Sequence, residues 1–235
     1  MFRNKFTLSI AIGLGLVVLA VSLISINSAM SKEPATVTTS DVLWSWGAPV
    51  GTTSQLVRTG NGINADFAAS GLTPDHAMTL WFIVFNYPDL CVAGPSNCGP
   101  QDLGKDRPAQ GDFLVASGHV VGADGTASFG GHLQLGETAG SGLAEFPEGC
   151  IPDLPGCGGP VGLVSLNGAL VILAVHSHGP KQTGAELKAQ ISSYLGGCEV
   201  FTGTLPGGFA ASEAEIPVND GECATIQVSP HAPQP

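Results

Sequence analysis

"LVILAVHSHGPKQ", residues 170–182, is an uninterrupted apolar run that closes on two histidines one residue apart. Read as a β-strand it is apolar on both faces, the pattern of a strand covered on both sides. Side chains alternate along a strand, so His176 and His178 project from the same face. Gly179-Pro180 then ends the pairing and turns the chain toward its next element.

Around this strand the chain repeats one pattern, short apolar runs punctuated by glycine and proline. Gly (33 residues) and Pro (17) are abundant, only 11% of residues are charged and 43% are hydrophobic; that is how an all-β sandwich or barrel is written. Further strands are expected over 42–46, 55–59, 63–69, 78–85, 113–121, 126–135, 162–166 and 224–228. One segment reads as a helix: in "GAELKAQISSYLGG", Leu187, Ile191 and Tyr194 or Leu195 make one stripe, and Gly196-Gly197 stops it, giving a short helix near 184–195.

The loops 86–111 and 136–160 are long for a small fold, and each carries one Cys-x6-Cys pair. Long ordered loops need pinning or a function. Six cysteines suggest three disulfides. Closing each short gap on itself gives Cys91–Cys98 and Cys150–Cys157 and leaves Cys198 with Cys223; six cysteines allow 15 pairings, so spacing alone does not prove it. Each short staple stabilises by roughly 2 to 3 kcal/mol in the chain-entropy model.

The N-terminus explains the cysteines. Arg3 and Lys5 precede an uncharged apolar segment, Phe6 to Ile26, and small residues follow, the order of a secretory signal over 1–31. At 21 residues the apolar segment also has the length of an uncleaved anchor. All 19 acidic residues but only six of the eight basic ones lie beyond position 31, leaving a net charge of about −13. Such a chain is a poor partner for nucleic acid or an anionic membrane surface. It is read as secreted or extracytoplasmic, in the periplasm or at the cell surface. Membrane contact would come only through an uncleaved N-terminal segment. Residues 32–40 and 229–235 read as flexible tails around a single domain, 41–228.

Candidate chemistry centres on histidine. A two-residue type I′ turn at Asp124-Gly125 would pair the flanking strands so that His119 and His132 become diagonal neighbours on one sheet face. With His176 and His178 these four imidazoles are candidate ligands for copper or zinc. The alternative is histidines hydrogen-bonded singly at strand ends. His76 reads as a turn residue, and His231 as a tail residue needing no role. Trp44 and Trp46 share a strand face suited to core packing, or to stacking on a carbohydrate. No Gly-x-Ser-x-Gly elbow, Ser-x-x-Lys or His-Glu-x-x-His motif occurs. Glu145, Glu148 and Asp153 lie in one loop, the residue types of a glycoside hydrolase acid pair or of a solvated rim.

"SGLTPDHAMTLWFIVFNYPDLC", "HSHGP" and "AQISSYLGGC" together resemble a group of uncharacterised secreted microbial proteins, which implies an exported, disulfide-bonded β-sandwich and no activity. "GLTPDH" and "HSHGP" are also similar to pieces of the CHRD (chordin-type) domain and of copper-zinc superoxide dismutases. There His-x-His supplies copper ligands, which would implicate His176 and His178. About 100 residues separate the two pieces here, whereas in those families they lie close together.

The sequence thus predicts an all-β, disulfide-stapled sandwich of immunoglobulin-like or Greek-key type with one short helix. The functional expectation is a non-enzymatic domain without a cofactor that binds an extracellular or envelope partner. The alternatives are a copper or zinc protein, with a redox role open to it, and a hydrolase.

Overall fold

The computed structural model describes residues 35–95, 97–151, 154, 156–201 and 208–234. The signal segment expected over 1–31 and Asp153 lie outside them. The strands are β1 (Thr36–Trp44), β2 (Pro49–Thr59), β3 (Gly62–Ala69), β4 (His76–Phe85), β5 (Gly111–Val120), β6 (Ala127–Gln134), β7 (Leu170–Pro180), β8 (Val200–Phe201) and β9 (Glu222–His231). The one α-helix among the described residues, α1, is Gly184–Gln190.

The strands run in the order β5-β4-β7-β9-β1-β2-β3-β6, with β8 paired beside β9. Every pairing is antiparallel except the two-residue contact of β8 with β9. The fold is therefore all-β and sandwich-like, with two four-stranded halves enclosing a core. The halves are not separate sheets, because Leu43–Val228 and Trp44–Gln227 join β1 to β9 and make the sheet continuous. The result is a rolled sheet close to a barrel.

Alternation explains why β7 is apolar on both faces. Val171, Leu173 and Val175 point inward with Leu80, Phe82 and Val84 of β4 and meet Leu56, Ile63 and Phe67 of the other half. Ile172 and Ala174 point outward with Trp81, Ile83 and Phe85 into a second cluster. Phe113, Leu143, Phe146 and Ile151 complete that cluster beneath the long loops. In β3 and β6, by contrast, Asp66, Ala68 and Ser128 are exposed between buried neighbours, because only one face is covered.

Two buried polar side chains pin the loops. Asn86 donates to the carbonyls of Gln110 and Gly162 and accepts from the amides of Val164 and Ser165. Asp112 accepts from the Ser141 hydroxyl and from the amides of Phe113, Val161 and Gly162. Three disulfides, Cys91–Cys98, Cys150–Cys157 and Cys198–Cys223, add covalent ties, in the pairing that the gaps favour.

Several elements differ from the sequence reading. Residues 36–40 belong to β1 and 229–231 to β9, so each stretch read as a tail contributes residues to the sheet. Residues 162–166 are not a strand; Leu163 makes one isolated bridge with Leu135. The helix ends at Gln190, short of 195, because the Glu145 carboxylate takes the amides of Tyr194 and Leu195 at 2.7 and 2.9 Å and holds that segment against the loop. This also gives Glu145 a structural employment.

The expected 113–135 hairpin does not form as a ladder. β5 pairs with β4 and β6 with β3, leaving them as the two edges of the sheet. The turn closes through Gly125 N–H to Gly122 O, with positive φ at Gly125 and not at Asp124, which is not the type I′ geometry. Leu72 N–H also holds Gly125 O, drawing the turn toward the β3–β4 connection. Where the edges approach, side chains are small: a Cβ on Gly131 would stand 2.6 Å from that of Ala116.

Candidate functional site

His176 and His178 emerge on the outward face of β7, in line with Ile172 and Ala174, and both are fully buried. The cover is the segment after α1 together with the third disulfide. The Tyr194 ring stacks on His176 with centroids 4.5 Å apart, and the two imidazoles meet edge to face at 4.8 Å. Gln190 holds the strand end by donating to the carbonyls of His178 and Pro180.

The hydrogen bonds fix the His178 tautomer. Gly196 O can only accept, so Nδ1, 2.8 Å away, carries the proton. The Trp81 indole can only donate, and it donates to Thr79 Oγ1 at 2.7 Å. The Thr79 hydroxyl donates in turn to His178 Nε2 at 2.9 Å. Both ring nitrogens of His178 are thus engaged. On His176, Nδ1 meets Thr225 Oγ1 at 3.2 Å, and Tyr194 also hydrogen-bonds the Thr225 side chain. Nε2 of His176 is buried with no hydrogen-bond partner.

Burial, and then the neighbouring His178, holds His176 well below the ordinary imidazole range. Burial brings His178 down to about 4, opposed by its bond to Gly196. Both rings are therefore neutral at physiological pH, the state in which imidazole ligates metal. Burial likewise pushes the Tyr194 hydroxyl well above the usual phenol range.

The four-histidine cluster expected from the sequence is not what assembles. His119 pairs with Met78 at an edge strand and lies exposed, its ring edge-on to Phe129. His132 is exposed on β6 and hydrogen-bonds Asn64 Oδ1 at 3.0 Å. Without a β5–β6 ladder the two have no shared face. The group that does form is His176, His178, Cys198 and Cys223, with one ligand-capable atom of each within 4.8 Å of the others. Its cysteines are joined as a disulfide.

Beside this network lies a pocket with about 60 Å³ of room for the centres of water-sized molecules. Its floor is Trp81, Ile83, Ile172 and Ala174, and Phe146 and Ile151 from the stapled loops form part of its roof. Thr225 and Tyr194 give it one polar end. Phe209, 45% exposed, stands at the rim.

His231 is no bystander: it is buried in β9, with Nδ1 2.9 Å from Thr38 Oγ1 and Nε2 2.8 Å from Ser54 Oγ. His76 opens β4 and is buried. Trp44 and Trp46 stack on each other at 5.0 Å and pack against the main core. The sequence reading missed Thr79, Tyr194 and Thr225. Thr79 carried a signal, since a lone hydroxyl inside "MTLWFIVF" must find a buried partner.

No family model matches the chain, and no curated protein matches it. Three disulfides indicate an oxidising, extracytoplasmic environment. No helix among the described residues is long and apolar enough to cross a membrane.

Proposed function

We propose that this is an exported, non-enzymatic binding domain, and that the outer pocket over β4 and β7 takes a compact apolar group presented by an extracellular or envelope partner. The observation that carries this reading is the pocket itself: an apolar lining with one polar end is the usual composition of a small-ligand site. The stapled loops support it, because disulfides hold a rigid roof over a face that the sheet alone would expose. An aromatic ring or short alkyl group fits that volume and finds a hydroxyl at Thr225 or Tyr194. Secretion to the medium or retention at the cell surface are both compatible with such a role.

The test is a titration with toluene, para-cresol and hexanol, followed by the methyl resonances of Ile83, Ile151 and Ile172 and by Trp81 emission. Saturable shifts confined to these residues are expected, and Ala174→Leu, which fills the floor, should abolish them. If no compound gives a saturable shift, or if Ala174→Leu shifts equally, the pocket is not a ligand site.

A further inference from the structure

Among the three disulfides, Cys198–Cys223 alone joins a histidine group. Its two Sγ atoms lie 3.6 and 3.9 Å from Nδ1 of His178. In tetrahedral zinc sites, with metal–sulfur distances of about 2.3 Å and metal–nitrogen distances of about 2.0 to 2.1 Å, donors stand roughly 3.3 to 3.8 Å apart. The cluster falls within 4.8 Å overall, so it lies near that geometry once the sulfurs can separate. We propose that reduction of Cys198–Cys223 converts this cluster into a Cys2His2 zinc site, so that the third staple of the fold exists either as a disulfide or as a zinc clasp.

The electrons and protons balance with a dithiol as reductant. One of its sulfurs attacks Sγ of Cys198, the half-exposed partner, and the S–S bond breaks with Cys223 leaving as a thiol. The donor's second thiol then releases Cys198 and departs as a disulfide. Zinc displaces one proton from each cysteine, and two thiolates with two neutral imidazoles make a site of zero net charge. Neutrality matters because Cys223, His176 and His178 are all fully buried.

The surroundings supply the remaining parts. His176 offers Nε2, a buried nitrogen with no competing hydrogen bond. His178 ligates through Nδ1 by moving its proton to Nε2, where Thr79 Oγ1, having two lone pairs, accepts from both His178 and Trp81. A carbonyl or hydroxyl on the far nitrogen is the usual orienting partner of a ligating histidine. Entry is provided by a surface pocket that Cys198 lines together with Glu186, Glu199 and Asp220, whose charges attract a divalent cation. This site is independent of the apolar-ligand reading, and either can fail without the other.

The experiment uses the full oxidised chain, reduced by a phosphine in the presence of cobalt(II) and then zinc. Reduction frees all six cysteines, so the control is Cys198→Ser/Cys223→Ser, which retains the other four. The reduced wild type should bind one metal ion per chain beyond the control, with thiolate-to-cobalt charge transfer and tetrahedral visible bands that zinc abolishes. The oxidised chain should bind none. His176→Ala should weaken binding by at least about tenfold; if that variant does not fold, the difference between wild type and control decides. No metal uptake on reduction, equal uptake by the control, or loss of soluble chain that zinc does not prevent would each overturn the proposal.

Discussion

Thr79 Oγ1 and His178 Nε2 stand 2.9 Å apart in the dry layer above β4 and β7, and that hydroxyl is also the acceptor for the Trp81 indole. One side chain therefore satisfies two buried partners. Thr79→Val keeps the shape and strands both, so it should destabilise the fold by about 2 to 4 kcal/mol. Thr79→Ser keeps the hydroxyl and loses a methyl, costing about 1 kcal/mol. Urea unfolding of the two variants checks the ranking; equal stabilities would mean the chain of hydrogen bonds contributes nothing.

Stability should fall on acidification through the histidine range. His178 and His231 titrate at about 4 in the folded chain against an ordinary value of 6.5, and His176 lies well below 6.5. Between those limits the unfolded chain binds more protons, so this stabilisation is full above about pH 6.5 and is lost toward pH 4. His178 alone accounts for a loss on the order of 3 kcal/mol. Asp112 acts oppositely, since burial raises its carboxyl. Its favourable contribution is present at low pH and lost as pH rises through its folded value. Urea midpoints at about pH 7 and about pH 4.5 test the balance, and a chain equally stable at both would contradict the burial of these rings.

Disulfide reactivity should follow exposure of the sulfur-bearing residues. Cys150 and Cys157 are both buried, whereas Cys98 and Cys198 are each half-exposed partners of buried cysteines. Limited reduction followed by alkylation should therefore label the 91–98 and 198–223 pairs before 150–157. Early labelling of Cys150 would show that its loop opens in solution.

Asp112→Asn should loosen both long loops at once. The carboxylate accepts four hydrogen bonds, from Ser141, Phe113, Val161 and Gly162. An amide offers one acceptor oxygen and turns donors against donors. A loss of about 2 to 4 kcal/mol is expected, with hydrogen exchange rising at 141–143 and 161–165 while the β2 and β3 amides stay protected.

The two-faced burial of β7 and two of the three disulfides were legible in the sequence because each is local, a continuous apolar run and cysteines seven residues apart; Cys198–Cys223, 25 residues apart, followed only as the remaining pair. The inward and outward sets of β4 follow from simple alternation. The partner of each histidine was not legible. His119 and His132 separate because the chain turns at Asp124-Gly125 without forming a ladder, a choice made by the hydrogen bond from Leu72. His176 gains Tyr194 as a stacking partner because Glu145, about 50 residues away, ends the helix early. His231, placed in a tail, is buried because β9 runs on past Val228 to pair Val171.

The second cluster beneath the loops alters where this fold can be edited. Long connections are ordinarily the places where a domain accepts a tag, an insertion or new chain ends. Here Leu103, Leu143, Phe146 and Ile151 tie the two longest loops to the interior. Grafting should succeed in the short exposed turn at Gly60-Asn61 and fail in the two longest loops, the reverse of the choice that loop length suggests.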